Sequence, residues 1–548
     1  MQETITITGM TCEHCADTIE TVLNRLPGTR ARVSYADRRA YLELNNDADL
    51  GPIINAIQAK GYDVLNDKPA VTDSADVQVA GDGENLQVAI LGSGSGAFAC
   101  AIRAAEAGAR VTMVESADII GGTCVNVGCV PSKIQIRAAQ LAQLQRDNPF
   151  HALANRDPII DRAALVDQQQ ARVLELRQAK YQSILDDNPA ITLLRGRGRF
   201  IDAHILEIEH ADAGETRLEA DRILIATGAA PAVPAIPGLA DTPYWTSTEA
   251  LVGRSAPAHV VIIGSSVVAV EQAQALRRLG SRVTVLARST LLAREDPELG
   301  TGLTEAFRAE GIEIREQTQP RAVRYTAGAF ELEMDNGTIQ ADQLLVATGR
   351  APNTQNMGLE AIGVATDDRG GIVVDKRLRT SVEHVYATGD CTNLPQFVYV
   401  AAAGGTRAAV NMAGGDAELD LRAMPAVIFT DPQVATVGLT EEQARKQGLD
   451  IEVRRLDLEN VPRALANFDT HGFIKLVAET DNGRLVGAQI LAAEAGEMIQ
   501  TAALAVQQQM TVHELGNMLF PYLVYVEGIK LCAQTFSRDV AKLSCCAG

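Results

Sequence analysis

One pattern occurs twice in the chain and limits its fold more than any other. "LQVAILGSGSGAFACAIRAAEAGARVTMVES", from Leu86, reads as strand, glycine turn, helix and strand. "AHVVIIGSSVVAVEQAQALRRLGSRVTVLAR", from Ala258, reads the same way. Glycines that let the backbone approach a pyrophosphate, and a helix N-terminus that faces it, are the parts of a Rossmann-like dinucleotide site. Two such units predict two nucleotide-binding domains of one α/β design.

The two units differ in detail. In the first, Gly92, Gly94 and Ala97 keep the G-x-G-x-x-G/A spacing, and Glu115 closes the second strand, where an acid holds ribose hydroxyls. An ordinary strand–helix turn would explain the glycines alone; strand, helix and acid together favour a dinucleotide. In the second, Gly264 is kept, Ser266 takes the place of the second glycine, and no acid closes the strand. Arg288, with Arg294 as the weaker candidate, stands where a 2′-phosphate would lie, which predicts NADPH. Two solvated surface arginines are the competing reading.

The rest of the chain falls around these units. Residues 1–66 alternate and then repeat at helical spacing in the order βαββαβ, a small ferredoxin-like unit. Residues 67–85, rich in Asp, Gly, Ala and Val without apolar periodicity, read as a flexible linker. Residues 86–256 and 257–350 hold the two glycine units, residues 351–422 continue the α/β texture, and residues 423–548 read as an α+β domain. The net charge of −20 argues against a nucleic-acid partner and keeps the chain soluble. No apolar run approaches the roughly 18 residues of a membrane span, and the N-terminus lacks a secretory pattern, so the cytoplasm is expected. In that compartment nine cysteines point to catalysis or metal binding before structural bridges.

Three cysteine pairs stand out. "GGTCVNVGCVPSK" carries Cys124 and Cys129 in a glycine-rich frame, where a distorted helical turn could align two thiols and Lys133 would acidify them. Two buried core cysteines are the bland alternative. "GMTCEHC" puts Cys12 and Cys15 at a strand–helix junction, a thiolate pair suited to a soft cation at low coordination number. A thioredoxin-like C-x-x-C is the rival there, though its surrounding pattern is missing, and His14 reads as solvated. Cys545 and Cys546 are adjacent near the C-terminus. Neighbouring Cα atoms lie about 3.8 Å apart, below the roughly 4.4–6.8 Å of ordinary disulfides, so a thiol hand is expected there. Cys100, Cys391 and Cys532 read as packing.

From residue 86 to 548 these motifs resemble the pyridine nucleotide–disulfide oxidoreductases. The Cys-x4-Cys frame carries the resemblance, with "ATG" at Ala226–Gly228 and Ala347–Gly349, "TSVEHVYATGD" ending at Asp390, and "FTDPQVATVG". The resemblance implies an α/β flavoprotein: an FAD-binding domain at 86–256 and 351–422, an NADPH-binding domain at 257–350, and a dimerisation domain at 423–548 of a homodimer. It implies that Cys124 is the interchange thiol and Cys129 the thiolate against the flavin. Thr123, Lys133, Gly228, Gly349 and Asp390 would belong to the cofactor sites, with Glu271 paired to Lys133.

One departure is informative. Relatives that reduce organic disulfides carry a general-acid His followed five residues later by Glu. Here "FPYLVYVEG" keeps Glu527 but places Tyr522 where the His would stand, and His513 is too far upstream. The leading unit resembles a heavy-metal-associated domain. A metal-binding head, a flavoprotein core and a "CCAG" tail are together similar to the branch of the family that reduces mercury(II). That similarity implies NADPH-dependent reduction to elemental mercury, with the ion relayed between thiol pairs. The tail pair of one subunit would serve Cys124 and Cys129 of the other, Tyr181 and Tyr522 would line that site, and the ion could be handed over by a mercury transport protein. A general disulfide reductase with regulatory thiols, and a metal-sequestering protein on a flavoprotein scaffold, are the rival readings.

Overall fold

The computed structural model describes residues 2–8, 13–26, 28–34, 39–44, 51–58, 60, 63–65, 85–211 and 214–539. Cys12, Cys545, Cys546 and the linker up to residue 84 lie outside the described residues. The chain divides into two compact units, residues 1–76 and 77–548.

The first unit has the expected βαββαβ order. Strand Gln2–Thr8 sits between Arg39–Leu44 and Asp63–Leu65, and Thr29–Ser34 completes the sheet beyond Arg39–Leu44. The period-2 pattern places Ile5 and Ile7 in the core, and Ile5 pairs with the buried Ala40. Ala16, Ile19 and Leu23 of helix Glu13–Leu23, with Ile53 and Ile57 of helix Gly51–Gln58, recur at helical spacing and cover one sheet face. Cys15 falls on the first of these helices.

The second unit contains both glycine units as separate sheets. The first sheet is parallel, in the order Val385–Ala387, Arg222–Ile225, Gln87–Leu91, Arg110–Glu115, Ile191–Arg195. Its outer strand Val385–Ala387 comes from the far side of the second sheet, so the chain leaves this domain and returns to it. The second sheet runs Glu313–Arg315, Arg282–Leu286, His259–Ile263, Gln343–Val346, also parallel. All five residues of His259–Ile263 are buried, as a central parallel strand covered on both faces requires. Residues 426–492 build a five-stranded antiparallel sheet backed by helix Ala495–Gln507. Two three-stranded antiparallel excursions, 197–219 and 322–341, do not follow from the glycine units. Nor does the short antiparallel pairing of Ala229–Pro231 with Arg350–Pro352, which ties the two "ATG" segments together.

Small residues decide how closely helices approach the first glycine turn. Helix Ser95–Glu106 buries Gly96, Ala97, Cys100, Ala101 and Ala104. A Cβ on Gly96 would lie 2.9 Å from Ala401 O, and one on Gly405 would lie 2.1 Å from Gly96 O. Helix Val398–Met412 therefore packs backbone to backbone against the nucleotide helix. Among the described residues no helix is long and apolar enough to cross a membrane.

Candidate redox and nucleotide site

The first glycine turn follows strand Gln87–Leu91. Gly92 has φ +113°, and a Cβ there would meet Ala226 O at 2.3 Å, so only glycine fits. Gly94 is the N-cap of helix Ser95–Glu106 and supplies no side-chain cap, which leaves the helix N-terminus open to an anion. Ala97 is buried behind it. Glu115 ends the next strand; its carboxylate accepts from Ser93 Oγ at 2.5 Å and from the Ala117 N–H at 2.8 Å.

Cys124 and Cys129 lie on two helices, Gly122–Val127 and Cys129–Arg146, and not on one distorted turn. Gly128 separates them. A Cβ at Gly128 would meet Thr123 O at 2.9 Å, so the chain can fold back over Thr123 only with glycine there. Both cysteines are free, and their sulfurs are hydrogen-bonded to each other. The Cys124 thiol donates, which pushes its own pKa well above the ordinary thiol range, with burial adding to the rise. The same bond lowers Cys129 to about 7, and the Lys133 ammonium helps against the opposing effect of burial.

Lys133 sits one helical turn beyond Cys129. Its Nζ binds Glu271 Oε2 at 2.7 Å and lies 4.5 Å from the centre of the Phe429 ring. Glu271 is only 6% exposed and belongs to helix Val267–Arg278 of the second glycine unit. Its other oxygen accepts the Phe429 N–H at 2.9 Å. Helix Cys129–Arg146, the second glycine unit and the "FTDPQ" segment thus meet on one carboxylate.

Arg350 and Asp390 form a second, half-buried pair. Arg350 Nε is 3.5 Å from Asp390 Oδ2, too far for a good hydrogen bond, and is without a hydrogen-bond partner among the described residues. Its Nη2 reaches Thr123 Oγ1 at 3.3 Å and the Ala229 carbonyl. Burial raises the Asp390 carboxyl, and Arg350 partly offsets this. Gly228 (φ +67°) and Gly349 (φ +122°) flank this region, and a Cβ on either would meet nothing within 4 Å. Sequence reasoning missed Arg350. The only local signal is its place directly after the second "ATG"; its value comes from the pairing of two segments remote in sequence.

In the second unit Gly264 has φ +128°, and a Cβ would lie 2.2 Å from Ala347 O. Ser266 is the N-cap of helix Val267–Arg278, yet its hydroxyl donates to Ala347 O at 3.0 Å and leaves the helix end uncapped. Arg288 and Arg294 are both exposed beyond strand Arg282–Leu286.

Tyr181 is not an ordinary helix-surface aromatic. It lies in a π-helical segment, Gln178–Gln182, packs edge-on against Phe98 at 5.0 Å, and its hydroxyl is 3.3 Å from Ser95 Oγ. Burial raises its pKa, with a smaller upward effect of Cys124 and Cys129. Tyr522 is 55% exposed, while Glu527 is buried and accepts the Leu523 N–H at 3.3 Å. Cys100, Cys391 and Cys532 are fully buried, and burial pushes the Cys100 and Cys532 thiols up to about 12.

This geometry has close counterparts in known proteins. Residues 86–405 match the pyridine nucleotide-disulphide oxidoreductase family, residues 424–533 its dimerisation domain, and residues 4–63 the heavy-metal-associated domain. A mercuric reductase of Acidithiobacillus ferrooxidans is 57% identical over 99% of this chain and 98% of its own length. One of Shigella flexneri is 56% identical over 100% of both. Among solved structures, the HOCl-induced flavoprotein disulfide reductase RclA of Escherichia coli is 30% identical, with a TM-score of 0.73 over 82% of this chain and 99% of its own. With a thiol pair, two glycine-turn units and a matched dimerisation domain, the chain belongs to the pyridine nucleotide-disulphide oxidoreductase family, an oxidoreductase family that uses a flavin and a pyridine nucleotide.

Proposed function

We propose that this chain reduces mercury(II) to elemental mercury at Cys124 and Cys129, with NADPH as electron donor and FAD as its resident cofactor. The overall change balances at two electrons: NADPH and Hg(II) become NADP+, a proton and Hg(0). What carries the reading is the sulfur pair beside Lys133: the Cys124 thiol donates to Cys129, and that bond together with the Lys133 ammonium favours the Cys129 thiolate. Such a thiolate is a ready ligand for a soft ion at neutral pH. The name shared by the full-length relatives supports mercury as that ion.

The residues present fit FAD. An uncapped helix end at Gly94, the Glu115 carboxylate, the orphaned Arg350 Nε and the open space at Gly228 and Gly349 are groups that such a cofactor would satisfy. Gly92 and Gly94, with Ala97 packed behind them, would hold its pyrophosphate, Glu115 a ribose, and Thr123, Arg350 and Asp390 its flavin side. Gly264, the uncapped start of helix Val267–Arg278 and Arg288 would hold NADPH. When bound, the two cofactors supply hydride transfer and a two-electron path to the sulfurs.

The protein's own groups do the rest. Cys129 takes the ion as a thiolate, and Cys124 loses its proton as it becomes the second ligand. Lys133, held by Glu271, keeps a positive charge beside the two sulfurs. Tyr181 covers the pair. A phenol at Tyr522, in place of an imidazole, exchanges a proton donor matched to neutral pH for a much weaker acid, which disfavours release of an organic thiol. Cys12 with Cys15, and Cys545 with Cys546, pass the ion by ligand exchange. The tail acts across a homodimer, the head takes the ion from a transport protein, and the reaction belongs in the cytoplasm.

The test is NADPH oxidation by the full chain with Hg(II) in excess small thiol, against glutathione disulfide and lipoamide. Mercury alone should sustain turnover, and Cys124→Ala or Cys129→Ala should abolish it with flavin retained. Faster turnover on either disulfide, or undiminished turnover in either variant, would sink the proposal.

A further inference from the structure

Helix Gly122–Val127 carries Cys124 and is six residues long, too short to hold itself together. Its N-cap Gly121 has φ +98° and offers no side-chain cap. Asn126 supplies what is missing. Its Nδ2 donates to Ile120 O at 2.8 Å and to Gly122 O at 2.9 Å, so one amide spans both sides of the helix start. Its Oδ1 accepts from Arg177 Nη1 at 3.2 Å.

Arg177 is the last residue of helix Arg162–Arg177, and the π-helical segment that carries Tyr181 begins at the next residue. A Cβ on Gly121 would lie 3.4 Å from the Tyr181 ring and 3.5 Å from Asn126 Nδ2, so the amide and the ring close on the same glycine. On the other side, the Gly121 N–H donates to Ser93 O at 3.0 Å, in the first glycine turn. One hydrogen-bonded chain therefore runs from the helix of Arg177 through Asn126 to the turn that bears Cys124.

We propose that Asn126 and Arg177 form a positioning clasp that sets how closely the Cys124 sulfur is held to Cys129, and thereby the balance between the Cys124–Cys129 disulfide and the dithiol. This rests on the reading of the pair as the redox centre, not on the identity of the metal. A disulfide needs its two Cβ atoms about 3.5–4.5 Å apart. A clasped turn keeps them in reach, and a frayed one dilutes one sulfur with respect to the other. Oxidation of the pair releases two electrons and two protons to an external disulfide, so the equilibrium is read directly in a dithiol redox buffer.

The experiment equilibrates the full-length flavoprotein, without mercury, in buffers of reduced and oxidised dithiothreitol. The Cys124–Cys129 peptide is then quantified by alkylation and mass spectrometry. Arg177 is only partly buried, so Arg177→Met should fold and bind flavin. It should weaken the disulfide about tenfold, a potential roughly 30 mV less negative. Arg177→Lys, which can still donate to Asn126, should recover most of the loss. Asn126→Ala should lose more than Arg177→Met, and adding Arg177→Met to it should cost nothing further. An unchanged equilibrium in Arg177→Met, or additive losses in the double variant, overturns the clasp. If Asn126→Ala loses its flavin, the two Arg177 variants decide alone. Because no mercury is present, failure of the clasp and failure of the metal assignment give different results.

Discussion

The two glycine turns are near copies in backbone and opposites in chemistry. Gly92 donates its N–H to Val114 O and lies under Ala226, and Gly264 donates to Leu286 O and lies under Ala347. Ala97 and Ala269 are buried at matching places on the two helices. At the strand end the copies part. Glu115 stands on one, while the matching Ala287 is fully buried on the other, with the exposed Arg288 beside it. The downstream segments diverge further. The first runs into Cys124 and Cys129, and the second into the buried Leu291 and Leu292. On the proposed function, the repeated backbone would cradle a phosphate in both units, and one or two strand-end side chains would decide which nucleotide each takes.

The largest break in the comparison is expected from the shared glycines. Gly92→Ala forces a Cβ to 2.3 Å from a backbone oxygen at a positive φ, and no flexible neighbour can yield. A cost of several kcal/mol falls on the flavin turn, so the purified variant should carry less than about a tenth of the flavin. Gly264→Ala is as crowded, at 2.2 Å from Ala347 O, but should keep its flavin and lose coenzyme binding. Flavin absorbance after gel filtration separates the two, and equal flavin loss in both would mean that the two turns are not independent sites.

The next effect sharpens the difference downstream of the strands. The first unit ends in a group that titrates near neutrality. In the reduced protein, the alkylation rate of Cys129 should rise with pH, with a midpoint at about 7. Below the midpoint the sulfur is protonated and inert; above it the thiolate reacts, so between pH 5 and pH 8 the rate should climb by about two powers of ten. Cys124, the hydrogen-bond donor, should lag throughout. The test is rate against pH by mass spectrometry, and a flat profile would remove the thiolate.

Arg288→Ala comes third. A contact to an ionised phosphate is worth about 1.5–3 kcal/mol, or roughly one to two powers of ten in binding. The Michaelis constant for NADPH should rise by that factor and the one for NADH should hardly move. Equal rises for both would make Arg288 an ordinary surface residue.

What was legible in the sequence was local. A positive φ demands glycine, so Gly92 and Gly264 announce their turns, and the alternating pattern of residues 2–8 announces the head domain. What escaped depends on segments far apart in the chain. Arg350 gains its place when Arg350–Pro352 pairs with Ala229–Pro231, and Gly96 matters because Ala401 arrives from another helix. The π-helical turn that aims Tyr181 inward has no marker in its own residues. The Lys133–Glu271 pair was expected from resemblance alone, and no spacing rule would have joined residues 138 positions apart.

The smallest expected effect tests whether the cradles are interchangeable. Ser266 stands where the first turn has Gly94, and its hydroxyl is spent on Ala347 O at 3.0 Å. It does not cap its helix, so Ser266→Gly forfeits no capping bond. One neutral hydrogen bond is worth about 0.5–1.5 kcal/mol, and a serine-to-glycine change at an N-cap costs only a few tenths of a kcal/mol. The variant should therefore be about 1 kcal/mol less stable, and its Michaelis constant for NADPH should stay within about threefold of the parent. Such a result means that the serine fills a glycine's place without touching the coenzyme. A loss of tenfold or more in NADPH binding, at unchanged stability, would mean that the hydroxyl leaves Ala347 to donate to a phosphate. In that case the second turn would recognise its ligand with a side chain where the first uses backbone alone.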